Sequence, residues 1–389
     1  MAGLVGGASL IGTMPALKAA GGVFSATGKV PTRLLGITGV KIPVVALGTG
    51  SEMSGGTLLL KKAIELGVTY WDLAPDYNNG QSEKAVGEYF ARFPGDRSKV
   101  FLVTKCRNRK PEQLTASLNQ SLATMKTSYV DMFMLHECDD IREMFDEIGV
   151  WAKQMKAAGK IRFLGGSSHK NMHKSLQGMV DKKFFDAAMI SYNYKMSDDP
   201  QLQEQIARCN AAGMGLIAMK IRGSGHGSQE SPAEAKLAKS FAERGFTENQ
   251  VKLKAVLEDS RFSSACVSIG TLATLSEYAA AAMDKKSLAY EDFRMLRHAA
   301  ADSKNCFCSG CGELCESALS GQIPVPDILR FMMYDRGYGE TDRARREFAA
   351  LPQHIRLAIL TTDYSAAEAV CPNRIPIAMR MREAVLRLA

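Results

Sequence analysis

Residues 68–136 read VTYWDLAPDYNNGQSEKAVGEYFARFPGDRSKVFLVTKCRNRKPEQLTASLNQSLATMKTSYVDMFMLH, and this stretch decides the fold. Three short apolar runs stand in it: VTYWDL ending at Leu73, KVFLVTK ending at Lys105 and YVDMFML ending at Leu135. A helical or loop segment, such as residues 112–125, follows each of them. Continuous apolar strands separated by helices belong to a parallel sheet buried on both faces. The same alternation extends outward. PVVAL ending at Leu47 precedes the stretch, with a helical segment at 56–66. IRFLGGSS ending at Ser168, AAMISYN ending at Asn193, GLIAMK ending at Lys220 and ACVSIG ending at Gly270 follow it. Eight such units predict an α/β chain with a (β/α)8 TIM barrel over residues 30–300. A doubly wound sheet would want a glycine-rich phosphate loop after its first strand, and none is present.

Ahead of the barrel, RLLGITGVKIPV (33–44) has a Gly-x-x-Gly break between two extended pieces and predicts an N-terminal β-hairpin plugging the barrel bottom. Residues 276–304 read as helical. Residues 301–389 form a mainly helical appendage whose periodicity is broken by Pro324, Pro326, Pro352, Pro372 and Pro376.

Of the 389 residues, 46% are hydrophobic and 23% charged, which excludes disordered and collagen-like classes. Lys plus Arg exceeds Asp plus Glu by 49 − 41 = 8. These charges are scattered, so nucleic acid is not an expected partner. Residues 1–17, MAGLVGGASLIGTMPAL, resemble the apolar region of a secretory signal, with Ala19, Ala20 and Gly21 as a cleavage site. Residues 1–25 therefore read as signal-like, or alternatively as an apolar strand or tail. No other stretch reaches the roughly 18 apolar residues of a membrane span.

Chemistry on a barrel belongs at the C-terminal ends of its strands, and the unusual polar residues fall there. Asp72 ends the second strand, Tyr77 lies just beyond, Lys105 ends the third strand and His136 ends the fourth. Each has a bland alternative: Asp72–Lys105 as a buried ion pair, Tyr77 as a loop aromatic, His136 as a core histidine. Their order and strand contexts, with RLLGITGVKIP, ALGTG, WDLAPDYNNGQSEKAVG, VTK, DMFMLH and GGSSH, resemble the aldo-keto reductases from about Arg33 to Gly270.

The resemblance implies reduction of a small carbonyl by hydride from NADP or NAD. Tyr77 would protonate the nascent alkoxide, and Lys105, held by Asp72, would lower the phenol's pKa of about 10. His136 would orient the carbonyl oxygen. The resemblance also assigns Gly48, Thr49, Gly50, Ser167, Ser168, Met219, Lys220 and Gly270 to cofactor binding. Ser168 replaces the family's Asn, Met189 its Gln, and Tyr278, beside Glu277, the Asn of its 2′-phosphate site. No Lys or Arg stands near Tyr278 in SIGTLATLSEYAAAA, which puts NADPH specificity and strong dinucleotide binding in doubt.

Four of nine cysteines crowd together at Cys306, Cys308, Cys311 and Cys315, and Cys371 precedes Pro372. Cys308-x2-Cys311-x3-Cys315 plus a distant Cys-Pro suits an iron–sulfur cluster. Zinc, two disulfides and substitution of one ligand by Cys306 stay open as readings of the spacing. The tail resembles the degenerate ferredoxin-like module of one aldo-keto reductase subfamily. In its second motif Thr361, Tyr364 and Ala367 stand where cysteines would, and Cys371 survives. The resemblance thus implies one 4Fe–4S cluster on Cys308, Cys311, Cys315 and Cys371, with a redox partner protein. It also implies periplasmic delivery by twin-arginine-like export, otherwise a cytoplasmic location, although the N-terminal segment has no Arg-Arg pair. Cys106 and Cys138 read as packing residues. The functional alternatives are an electron-transfer protein on a barrel that has lost its nicotinamide, or a cluster that only pins the tail.

Overall fold

The eight apolar runs become eight parallel strands that close on themselves. The structure, a computed structural model, describes residues 28–50, 53, 55–226 and 232–389; the signal-like segment 1–25 lies outside the described residues. A hairpin, β1 (Thr32–Leu34) and β2 (Lys41–Pro43), comes first. The barrel strands are β3 (Val45–Gly48), β4 (Tyr70–Asp72), β5 (Phe101–Cys106), β6 (Val130–Leu135), β7 (Ile161–Ser168), β8 (Ala187–Ser191), β9 (Gly215–Met219) and β10 (Phe262–Ser268). β10 pairs with β3 and completes the ring, with Ala265 opposite Val45 and Ser268 opposite Gly48. Helices α1 (Gly56–Glu65), α2 (Gln81–Arg92), α3 (Pro111–Thr124), α4 (Asp146–Ala157), α5 (Met172–Lys182) and α6 (Pro200–Ala211) connect the strands up to β9. Two helices, α7 (Pro232–Glu243) and α8 (Glu248–Leu257), precede β10.

The strands are apolar on both faces because both are buried. One set of side chains packs under the helices, and the other, including Ala46, Tyr70, Val103, Met134 and Ile217, fills the barrel. Leu35 and Ile42 of the hairpin join that inner cluster, so the predicted plug is present at the bottom. Gly36 makes it possible: a Cβ there would lie 2.2 Å from Gly213 O, and its φ of 52° suits glycine. Also at the bottom, Asp131 accepts from Arg97 at 3.0 Å, Arg162 at 2.6 Å and the Leu102 amide at 2.9 Å.

Beyond the barrel, the helix expected over 276–304 is two helices, α9 (Leu272–Met283) and α10 (Tyr290–Asp302), parted at 284–289. The tail adds α11 (Gly312–Ala318), α12 (Val325–Tyr338), α13 (Thr341–Ala349), α14 (Gln353–Ala358), α15 (Ser365–Val370) and α16 (Ile377–Leu388). Its prolines start helices where the sequence suggested breaks. Pro324, Pro352 and Pro376 sit at the N-caps of α12, α14 and α16, positions at which the missing amide proton costs nothing. The tail has its own core around Leu329, Met332, Phe348 and Met381.

This tail lies across the open end of the barrel. The Asn171 amide donates to Gly310 O at 2.7 Å, and Lys170 pairs with Asp327 at 2.9 Å and Glu316 at 3.2 Å. Gly310, with φ 77°, permits the approach, since a Cβ would meet His169 O at 2.5 Å. Among the described residues no helix is long and apolar enough to cross a membrane.

Candidate active site

Three neighbouring strand ends bring four ionisable side chains to one point. Asp72 is the last residue of β4, Lys105 the last but one of β5, and His136 follows β6. Tyr77 comes from the turn after β4, where Asn78 and Asn79 adopt left-handed φ values of 50° and 53° before α2 begins. Lys105 Nζ lies 2.6 Å from Asp72 Oδ2, 2.8 Å from Leu73 O and 3.3 Å from Tyr77 Oη. The Tyr77 and His136 rings meet edge to face, 5.9 Å between centroids.

Burial penalises the charge on Lys105, but Asp72 and Tyr77 outweigh that penalty, and its pKa is raised, so it stays protonated. Burial pushes the Tyr77 phenol up; Lys105 opposes this and Asp72 adds to it. The expected lowering by Lys105 is thus present as a contribution, but burial exceeds it, and the phenol keeps its proton at neutral pH. Burial, then Lys105 and Arg107, hold His136 far below the ordinary histidine pKa, leaving a neutral ring.

A cavity open to solvent rests on this group, with Asp72 and Tyr77 in its wall. Gly48, Gly50, Met219 and Lys220 line it, with Met189 among them. Thr49 does not: its hydroxyl donates to Asp72 O at 3.0 Å and ties the ends of β3 and β4 together. Ser167 and Ser168 are also outside the wall. Ser167 Oγ accepts from the Glu137 amide at 3.3 Å, and Ser168 Oγ lies 2.8 Å from Asp139 Oδ1. His169, one residue on, takes the wall position. Gly270 lies two residues past the end of β10, leading into Thr271, which caps α9.

The cations missing from the sequence around Tyr278 arrive from elsewhere. Arg222, from the loop after β9, and Arg343, from α13, line the same cavity as Tyr278. Arg343 stands 3.9 Å over the Tyr334 ring and 5.8 Å from that of Tyr77, and Lys220 stands 4.5 Å over Tyr334. Burial would raise the Tyr334 phenol, but Lys220, Arg343 and Arg330 outweigh it, and its pKa is lowered. Of these, Arg222, Arg330, Tyr334 and Arg343 escaped the sequence reading, which assigns Lys220 to cofactor binding. Their signal is the i, i+4, i+8 spacing of Arg330, Tyr334 and Tyr338, which places them on one side of α12.

Cys308, Cys311, Cys315 and Cys371 line a second, small cavity, whose other walls include Val325, Leu329 and Ile377. Burial pushes the Cys311 thiol up to about 11 and Cys315 to about 12, and neighbouring thiols add to both shifts. Asn373 ties the two cysteine segments, donating to Phe307 O at 2.7 Å and Ser309 Oγ at 2.9 Å. Cys306 is not part of this wall, and all nine cysteines are free thiols. Among the described residues no three His, Cys, Asp or Glu side chains gather as a metal-ion site. Cys106 and Cys138 are buried in the barrel's main core, as packing residues.

A parallel eight-stranded barrel with this grouping at its strand ends defines a barrel oxidoreductase. The sequence model of the Aldo/keto reductase family matches residues 51–281, more than half of the chain, and the chain belongs to that family. The match ends before the cysteine-bearing tail. L-galactose dehydrogenase of Arabidopsis thaliana is 23% identical over 294 residues, covering 67% of this chain and 90% of that protein. Methylglyoxal reductase YeaE of Escherichia coli is 34% identical over 137 residues, 33% of this chain and 46% of that protein. The chain thus spans under half of that relative. Among solved structures, the holo form of aldo-keto reductase AKR11C1 from Bacillus halodurans shares the fold. Its TM-score is 0.59 at 17% identity, over 69% of this chain and 96% of that one.

Proposed function

We propose that this enzyme reduces a small carbonyl compound with NAD(P)H through Tyr77, and that Cys308, Cys311, Cys315 and Cys371 hold one 4Fe–4S cluster. The observation that carries the first part is Lys105 Nζ, 2.6 Å from Asp72 and 3.3 Å from Tyr77, beneath a cavity that Asp72 and Tyr77 help to line. The residues fit a nicotinamide dinucleotide: Lys220, Arg222 and Arg343 line that cavity and suit an anionic cofactor. Bound there, the nicotinamide supplies hydride. Tyr77 Oη, protonated by virtue of its burial, gives its proton to the developing alkoxide. Lys105 stabilises the phenolate left behind, and Asp72 keeps Lys105 charged and in place. Neutral His136 offers a ring N–H to the carbonyl oxygen.

The cluster reading is supported by the four cysteines lining one pocket, with the two- and three-residue gaps and the distant Cys-Pro that suit iron–sulfur ligation. A bound cluster supplies one-electron transfer. A second reading, an electron-transfer protein with weakened nicotinamide binding, is favoured by Met189 in the wall and by the engagement of Ser168 Oγ with Asp139.

Anaerobic purification should give a brown protein with about four irons per chain, and NADPH or NADH should quench its fluorescence on titration. Tyr77→Phe should abolish carbonyl reduction and leave the cluster absorbance unchanged. A colourless zinc protein refutes the cluster; absence of cofactor binding at millimolar concentration refutes the reductase reading and leaves the second.

A further inference from the structure

Only one oxygen of the Asp72 carboxylate is spent on Lys105. Oδ2 lies 2.6 Å from Lys105 Nζ, while Oδ1 is buried and meets no nitrogen or oxygen donor. A buried acceptor left bare is costly, the more so on an ionised group. The neighbour that answers it comes from β10. Cys266 is 9% exposed and lines the cavity of the Asp72–Tyr77–Lys105–His136 tetrad together with Asp72, Tyr77 and Gly48. Gly48 stands between the two strands, opposite Ser268 of β10 on one side and Asp72 of β4 on the other. A Cβ on Gly48 would lie 3.1 Å from Cys266 Sγ and 3.0 Å from Val267 O, so the sulfur stands where a side chain on β3 would need room. Burial raises the Asp72 pKa; Lys105, and then a hydrogen bond from the Cys266 thiol, oppose the rise. Burial and the Asp72 charge hold the thiol itself far above its ordinary pKa, so it keeps its proton and stays a donor. The other titratable groups facing this pair are Lys105 from β5, Lys220 beyond β9, and the phenols of Tyr70 and Tyr77.

We propose that Cys266 is a positioning residue of the carbonyl-reducing site: its thiol donates to Asp72 and keeps that carboxylate turned on Lys105. Its part in catalysis rests on the reductase reading above; its bond to Asp72 does not. Asp72 has to be ionised to hold Lys105 charged beside Tyr77. Protonation of Asp72 comes nearer as pH falls, and the thiol, bonded to the ionised form, opposes it. Without that donor Asp72 takes its proton at a higher pH, and Lys105 loses its counter-ion there.

The test compares Cys266→Ala, which removes the donor, with Cys266→Ser, which keeps one, in the anaerobically purified full chain. Two readouts are followed against pH: kcat for reduction of 4-nitrobenzaldehyde with NADPH, and the infrared carboxylic-acid band that Asp72→Asn deletes. In Cys266→Ala the low-pH limb of kcat and the appearance of the band should both move up by about half to one pH unit, so that the loss of kcat on the limb exceeds the loss above it by about three- to tenfold. Cys266→Ser should bring both back toward the wild type. A limb or a band that stays put in folded Cys266→Ala overturns the proposal. A loss of kcat that is equal at every pH, or that serine fails to rescue, overturns it too and makes Cys266 a packing residue. A band that moves in a protein that reduces no carbonyl leaves the bond to Asp72 standing and removes the reductase reading. Carbonyl reduction with limb and band both unmoved removes the role of Cys266 alone.

Discussion

Replacing Lys105 by Met strips the cation from between Asp72 and Tyr77. The side chains of Lys105 and Asp72 are 1% and 4% exposed, so Asp72 would be left as a buried carboxylate without its partner. Breaking a buried pair from one side costs about 3–5 kcal/mol. Unfolding entropy of about 2.1 cal/mol/K per residue comes to roughly 0.8 kcal/mol/K for this chain, so the single variant should melt about 4–6 °C lower. The double variant Asp72→Asn, Lys105→Met removes both charges and should recover most of that loss, because no unpaired ion remains. Activity should not recover with it. Without Lys105 only the more distant Arg343 is left to stabilise the Tyr77 phenolate, and kcat should fall by about 10²–10⁴-fold in both variants. Thermal melts by circular dichroism, run beside NADPH-oxidation kinetics, separate the two effects. A double variant that melts as low as the single one would refute the unpaired-charge argument. Wild-type kcat in Lys105→Met would refute the proton role of Tyr77.

Asp131→Asn at the barrel bottom loses its charged bonds to Arg97 and Arg162. It should destabilise by about 3 kcal/mol in urea unfolding with kcat unchanged, since the strand ends that carry chemistry lie at the opposite face. Buried His136, His169 and His226 all have lowered pKa values. Below pH of about 6.5 the unfolded chain takes up protons that the folded chain refuses, so stability should fall as pH falls. Each contributes up to about 1.4 kcal/mol per pH unit, and His226→Gln should flatten the slope of unfolding free energy between pH 6 and 5 by close to one proton. Cys371→Ser should lose most of the iron found by analysis of anaerobic protein, whereas Cys306→Ser, outside the cysteine pocket, should keep it.

The barrel and its tetrad were legible because both are written in local pattern. Each strand is a short apolar run, and Asp72, Lys105 and His136 fall at or beside the ends of consecutive runs. The cysteine set was legible for the same reason, its spacing being a property of short segments. The roof was not. Arg330, Tyr334 and Arg343 reach the barrel mouth only because α12 and α13 pack over strands far earlier in the chain; the spacing on α12 puts Arg330 and Tyr334 on one side without saying what that side faces. A strand-end position does not fix which way a hydroxyl turns, and that of Ser168 lies 2.8 Å from Asp139. The tail prolines were legible as well: the breaks they make in the helical pattern are the boundaries at which α12, α14 and α16 begin.

One rod joins everything above the barrel. At 1.5 Å per residue, the fourteen residues of α12 span about 21 Å. Its first turns close the cysteine pocket through Pro326 and Leu329, its middle fills the space between the two sites with Arg330 and Met333, and its end reaches the tetrad cavity through Tyr338. Whatever tilts this helix therefore moves the wall of the cysteine pocket and the roof of the tetrad cavity together, so the two sites share one lever.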